Sequence, residues 1–387
     1  MKKALVLFLI VLTVFCFVSC NKDDAPKSAY EIWLNQGYEG TEEDFLEWLK
    51  GTNGKDGTNG SNGLNGTNGA DGKSAYQIWL DQGHEGTESD FFEWLSYSQN
   101  PQGLDFFPLK DGTYAVSMGN AIYLDEINIP ETYNRKNVTV ILESAFEQHQ
   151  LKKVTIPDTV TTIEKNAFAS CFIKELVLGN GIKEIGEQAF LNSHITELTI
   201  PASVTTIGEL AFDGCSFLKS ITVNEENQSY KSVDGVLYSK DGKELILYPR
   251  KKEGTSFTVP NGVNTIKQFA FSNCNFIENV VVLEGVASIE KHAFGACNNL
   301  KSISFPKTLT SIDTYAFWSC ISLKDVVIPS SVSFIGERAF YFCLSLATID
   351  CEAQDKPADW HTKWNESIDS ELKNSIFIPV EWGQSNE

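Results

Sequence analysis

The sequence predicts a β-rich solenoid of short strands and turns carried on a polar tether, and three observations lead there. An Ala-Phe pair recurs at Phe146, Phe168, Phe190, Phe212, Phe271, Phe294, Phe317 and Phe340, in steps of 22, 22, 22, 59, 23, 23 and 23 residues. Two further apolar signatures, L-x-x-I-x-I and V-x-x-I, recur in register with it. A fixed period of that size marks coils that cannot bury their apolar faces alone and stack to do so. Function in such a chain lies on its surface and not in a deep catalytic core.

Composition narrows the classes further. The chain has 387 residues, with Lys+Arg 31 against Asp+Glu 51 and a formal net charge of -20. Neutralising a phosphate backbone takes clustered Lys and Arg, so nucleic acid is excluded as a partner. Of the nine cysteines, Cys171, Cys215, Cys274, Cys297, Cys320 and Cys343 each follow a repeat Phe by three residues. Zinc sites and disulfide frameworks show paired spacings, whereas these follow the repeat, so they read as buried thiols packing as small hydrophobes. Disulfides between neighbouring coils are the other reading.

Taken in order, the chain starts with Lys2 and Lys3, an apolar run over residues 4–18, then Ser19, Cys20 and a polar N-K-D-D. The run is shorter than the about 20 residues a membrane span needs, so residues 1–19 read as a secretory signal. F-V-S-C at 17–20 resembles the lipobox of bacterial lipoproteins, with Phe17 where that family usually has Leu. The resemblance implies lipidation of Cys20 and a membrane held only through acyl chains, at about 0.8 kcal/mol per buried CH₂. K-D-D at 22–24 resembles the short signal that sends such lipoproteins to the cell exterior, which implies a surface-exposed outer-membrane lipoprotein with residues 20–26 as its lipidated tether.

Residues 27–50 and 73–98 are near copies, each read as a miniature helical hairpin. Ser28 with Glu31 and Thr41 with Asp44 have the spacing of helix-capping pairs, and Gly37 is a stop between them. Tyr30, Trp33 and Leu34 share one helical face, and Phe45, Trp48 and Leu49 share another. Packing of the two helices against each other explains these aromatics, with carbohydrate stacking as the sharper reading. Between the copies, residues 51–72 carry glycine at every third place but no proline. That collagen-like Gly-x-y run reads as a flexible polar spacer more readily than as a trimerising stem.

Residues 105–385 hold the solenoid. The last two apolar positions of L-x-x-I-x-I alternate as a half-buried strand requires, and the Pro that often follows has no N–H to extend a ladder. V-x-x-I closes the opposite wall, as in Val160-Ile163 and Val332-Ile335. Cys351 occupies a slot held elsewhere by Ile or Val and reads as a buried spacer. Residues 105–136 read as the amino-terminal cap, and residues 352–385 as the other lid, with Trp360, Trp364 and the I-F-I-P-V run at 376–380. The 59-residue step hides one ordinary period and an insertion, about residues 224–254, in which G-V-L-Y at 235–238 and L-I-L-Y at 245–248 flank Asp241-Gly242 as a β-hairpin.

Together I-P-x-S-V-x-x-I-G-E-x-A-F-x-x-C-x-x-L and the inserted V-D-G-V-L-Y-S-K-D-G resemble the BspA-type leucine-rich repeats of bacterial surface proteins. The resemblance implies a leucine-rich-repeat solenoid exposed on the cell and used for binding, adhesion to host matrix proteins or to other cells, with no shared enzymatic activity and no cofactor. Ser193 and His149 depart from it by standing in the usual Cys slot.

Nothing in the chain reads as catalytic. The five histidines, His84, His149, His194, His292 and His361, show no metal-ligand spacing, and there is no G-x-S-x-G elbow or phosphate loop. The candidate binding residues are Lys152, Lys174, Lys219, Lys301 and Lys324, which occupy the first variable place of the strand signature. Stacking is expected to line them into a basic edge suited to an acidic glycan, against the alternative of a solvated face that keeps the sheet soluble. Two functions follow: an adhesin binding host or bacterial surface proteins, or a lipoprotein that captures polysaccharide through the tether aromatics or the hairpin tyrosines Tyr238 and Tyr248.

Overall fold

A computed structural model describes residues 103–121, 124–368 and 375–384. Cys20, both hairpin units and the Gly-x-y spacer lie outside the described residues. Leu104–Glu387 is one unit, described by itself. There is no helix among its described residues.

Both predicted signatures form strands, and each builds one wall of the coil. On the first wall Glu126–Asn128, Lys153–Thr155 and Glu175–Val177 pair in parallel, as do Glu197–Ile200 with Ser220–Val223, and Ser256–Val259 with Asn279–Val282 and Ser302–Ser304. On the second wall the V-x-x-I strands are two residues long, such as Thr162–Ile163 and Ser311–Ile312, and run in two longer ladders. Side chains alternate as a pleated strand demands: in Glu197–Ile200, Leu198 and Ile200 are buried while Glu197 and Thr199 are exposed. The prolines act at the strand ends, where the carbonyls of Pro157, Pro201, Pro306 and Pro329 accept the amides of the residues three places on and start the turn.

A third ladder runs up the Ala-Phe corner. Within each half the amide of a repeat Phe donates to the Ala carbonyl of the following coil, at 2.8 Å for Phe168 to Ala189, Phe294 to Ala316 and Phe317 to Ala339. Holding that corner puts two residues per coil in the left-handed region, including Phe269 (φ 60), Tyr315 (φ 55) and Phe342 (φ 68). Bulky residues rarely sit there, and the coil-to-coil bonds on both sides are what keep them so.

Inside, the repeat phenylalanines form two parallel stacks. Ring centroids are 4.9, 5.3 and 5.4 Å apart from Phe146 to Phe212, and 4.7, 5.2 and 5.2 Å from Phe271 to Phe340, with planes within 11° of parallel. The cysteine slot beside them is a hydrogen-bonding slot: Cys171, Cys297 and Cys343 donate Sγ–H to the carbonyls of Phe146, Phe271 and Phe317 at 2.9, 3.0 and 3.2 Å. Ser193 makes the same bond to Phe168 at 3.4 Å, so its departure from the repeat preserves the contact. All seven cysteines from Cys171 to Cys351 are free and buried.

Between the two stacks stands the insertion. Val236–Ser239 and Glu244–Leu247 form the predicted hairpin, extended by Tyr230–Val233 into a three-stranded meander. Its last strand pairs in parallel with Thr265–Ile266 and so serves as that coil's second wall. The meander is also a wedge. Leu237 belongs to the amino-terminal core, whereas its neighbours Val236 and Tyr238 belong to the carboxy-terminal one. On the first wall, Ser220–Val223 and Ser256–Val259 lie in separate sheets. Arg250 ties the joint together, reaching Asp213 at 2.5 Å with both side chains mostly buried.

Aromatic contacts mark both ends of the described coils. Phe106 stacks on Tyr133 at 4.1 Å at the amino-terminal end. At the other, Trp364 meets Phe340 edge-on and the indole N–H of Trp360 donates to the Val332 carbonyl at 3.1 Å. The run at 376–380 does not lid the core as a block, because it ends one strand, the exposed Ser375–Phe377, and begins another, Val380–Trp382. Ile378 is buried, while Ile376 and Phe377 are 39% and 59% exposed.

Candidate binding surface

The structure places all five predicted lysines on one corner of the coil, immediately before the first-wall strands, and all five are exposed. It does not line them into a continuous basic edge. The backbone bonds give the true order of the column. Lys174 donates to Lys152, Lys152 to Asp125, and Lys219 to Thr196; beyond the insertion Glu278 donates to Thr255, Lys301 to Glu278 and Lys324 to Lys301. Acids therefore stand in the column itself, and they pair with the lysines beside them, Lys152 with Asp125 at 2.5 Å and Lys301 with Glu278 at 2.8 Å. The repeat spacing carried no sign of this, because Asp125 and Glu278 occupy the same variable position as the lysines. Lys174, Lys219 and Lys324 have no acidic partner among the described residues.

The hairpin tyrosines are not a sugar platform. Tyr238 and Tyr248 are each 3% exposed. Tyr248 fills a core position: its amide donates to the Ala270 carbonyl at 2.8 Å and its ring lies 4.9 Å from that of Phe271.

Sequence reasoning missed the aromatics that do face solvent. Phe172, Phe217 and Phe276 are 45%, 48% and 49% exposed. Each stands immediately before the first apolar residue of a strand signature, at Ile173, Leu218 and Ile277, and His194 holds the same place before Ile195. Counted from the repeat Phe they fall out of register, because the earlier coils are one residue shorter; counted from the strand they align. Phe172 and His194 meet at 4.8 Å with planes 83° apart, and His194 and Phe217 at 4.9 Å and 56°. Unlike the core rings, none of these is capped by a parallel neighbour. Lys251 continues the column across the insertion, its amide bonded to the Leu218 carbonyl and its ammonium 4.1 Å from the Phe276 ring centre.

A second exposed group occupies the last coils. Trp318, Ile321 and Leu344 are 40%, 36% and 43% exposed. Trp318 and the half-buried Tyr341 follow the repeat Phe in successive coils, as Ile321 and Leu344 follow the repeat Cys, so the four hold matching places on two rungs of one patch. Arg338 lies over the Tyr341 ring at 5.3 Å. Of the histidines, His292 is stacked between Phe269 and Tyr315 at 5.1 and 5.2 Å, and burial holds its pKa below the usual value. Among the described residues no group of three or more His, Cys, Asp or Glu could hold a metal ion.

The comparisons agree with this architecture. The model of the BspA type leucine rich repeat region matches in six copies over residues 139–233 and 249–357, more than half of the chain. The chain belongs to the BspA-type leucine-rich repeat family. Its gap, residues 234–248, coincides with the inner strands of the meander. Among solved structures the pneumococcal vaccine antigen PcpA is 22% identical with a TM-score of 0.52, over 72% of this chain and 90% of that one, and shares the fold. A leucine rich cell surface protein of Faecalibacterium prausnitzii A2-165 is 24% identical over 73% and 94%, TM-score 0.47. A leucine-rich repeat protein of Bacteroides ovatus ATCC 8483 is 21% identical over 67% and 88%, TM-score 0.28. No curated protein matches the chain.

Proposed function

We propose that this BspA-type repeat protein is a surface-exposed outer-membrane lipoprotein, anchored through Cys20, that attaches its cell to proteins of a host or of neighbouring cells without chemistry of its own. The observation that carries the reading is the patch of Trp318, Tyr341, Ile321 and Leu344. Large apolar side chains left in solvent at the same position of successive coils form a contiguous surface, and aromatic residues with Arg are the types that anchor protein interfaces. The family supports it, being one of repeat proteins, and a relative of the same fold is a vaccine antigen.

Binding of the full chain to a panel of immobilised matrix and cell-surface proteins tests it, with Trp318→Ser/Leu344→Ser as the comparison. Binding to at least one protein that is lost in the double variant is expected. Equal binding by the two chains contradicts the assignment to this patch. Capture of glycans is the second reading, favoured by the uncapped rings at Phe172 and Phe217.

A further inference from the structure

We infer that the corner formed by Phe172, His194, Phe217, Lys174 and Lys219 is a binding strip for a linear polysaccharide in which uronic acids alternate with neutral sugars. Geometry, charge and exposure each bear on the choice of occupant.

Geometry comes first. The rungs of this strip are 4.8 and 4.9 Å apart, because they hold the same place in successive stacked coils. An extended peptide laid along the same direction presents side chains on one face every second residue, at about 6.6–6.8 Å, and falls out of step within two rungs. One pyranose in an extended chain is about as long as one rung. The rings are also of the right kind, because Phe172 and Phe217 are about half exposed and so leave aromatic surface for the C–H groups of sugars.

Charge then selects the sugar. Lys174 and Lys219 stand two residues after Phe172 and Phe217, and the rung between them carries Thr196 two residues after His194. Within the strip the cations stand on the first and third rungs, with the acid-paired Lys152 on the rung before, while a ring stands on each of the three. A polymer bearing a carboxylate on alternate sugars meets that pattern, whereas a uniform polyanion places every other charge against Thr196. Neither lysine has an acidic partner among the described residues, in contrast to Lys152 and Lys301. On a chain of formal charge -20 these two unpaired cations offer the strip its positive charge, beside the exposed Glu175, which Lys153 pairs at 3.5 Å, and the exposed Glu197. Lys251 over Phe276 extends the same aromatic and cationic character beyond the insertion.

The inference rests on the solenoid being a non-catalytic binding module, but its test is separate from protein attachment. Fluorescent hyaluronan oligosaccharides, which alternate glucuronate with a neutral sugar, are titrated with the full chain and followed by anisotropy. Saturable binding is expected that weakens with salt, and carboxyl-reduced oligosaccharide is expected to bind at least about tenfold more weakly. Phe172→Ala/Phe217→Ala and Lys174→Ser/Lys219→Ser should each lower affinity about tenfold, while Lys301→Ser/Lys324→Ser, in the other half, should leave it unchanged. The substituted side chains are solvent-facing, and a melting temperature equal to that of the parent chain confirms that each variant is folded. No binding by the parent chain, undiminished binding by the phenylalanine pair, or equal binding of the carboxyl-reduced polymer each overturns the inference. A chain that binds matrix proteins and ignores hyaluronan loses the strip and keeps the attachment function; the reverse result keeps the strip alone.

Discussion

Tyr248 lies on Phe271 with ring centroids 4.9 Å apart and planes 25° from parallel, standing where a repeat phenylalanine stands in every other coil. It precedes Phe271 by 23 residues, the ordinary period, so the long step between Phe212 and Phe271 contains a complete coil whose phenylalanine is a tyrosine. The insertion is therefore a meander threaded into a coil and not a loop laid between coils.

Removing that ring should open the joint between the two cores. Tyr248→Ala leaves a cavity at a site 3% exposed and is expected to cost about 3–5 kcal/mol, whereas Tyr248→Phe should be nearly neutral. Because neighbouring coils stabilise one another only through their interfaces, the alanine variant should unfold in two calorimetric steps where the parent shows one. A single step at unchanged temperature would contradict the wedge.

Phe340→Ala belongs to the other class of core change. The ring is fully buried between Phe317 and Trp364, so a loss of about 3–5 kcal/mol is expected, read as a fall in the denaturant midpoint. Its position next to the cap should confine early unfolding to the carboxy-terminal end, visible as hydrogen exchange rising there first.

The thiols should be silent in the folded protein. Burial pushes Cys171 and Cys215 up to about 12 and raises Cys274 and Cys320 well above the ordinary thiol range. Thiolate is the reactive form, so an aromatic disulfide reagent should label none of the seven solenoid cysteines until denaturant unfolds the coils. Cys343→Ser keeps a donor for the Phe317 carbonyl and should leave binding intact.

Acid should act through the carboxy-terminal cap. Arg338 donates to Glu366 at 3.0 and 3.4 Å and holds its carboxyl below the usual carboxylate range. A depressed folded pKa means the stabilisation is present above the unfolded value and is lost as pH falls through the folded one. Between about pH 7 and about pH 3 the parent chain should therefore lose more stability than Glu366→Gln does, as measured by denaturant midpoints at each pH. An equal loss in both would remove Glu366 from the acid response.

What could be read in advance follows from what repeats. The inward positions, Val332, Ile335, Ala339, Phe340 and Cys343 among them, are held to a few side chains by packing, so the period, both walls and the family were legible. The left-handed corner was not, since Phe269 and Tyr315 are side chains that sequence patterns assign to strands. Tyr248 was hidden because its coil keeps the period but changes the letter. The exposed column at Phe172, His194 and Phe217 was hidden for the opposite reason: the letters vary and the coil length shifts by one residue. For the lysines the position was legible and the charge balance was not, because Asp125 and Glu278 share their column.

Attachment itself is the most direct measurement. Cells displaying the full chain are compared with cells displaying equal amounts of a chain carrying Phe172→Ala, Phe217→Ala, Trp318→Ser and Leu344→Ser, and with cells carrying Cys20→Ala, on the same host-cell layer. A surface lipoprotein that binds through its outward columns predicts strong attachment for the parent, loss for the quadruple variant at unchanged melting temperature, and loss with release of protein into the medium for Cys20→Ala. Undiminished attachment by the quadruple variant would contradict it.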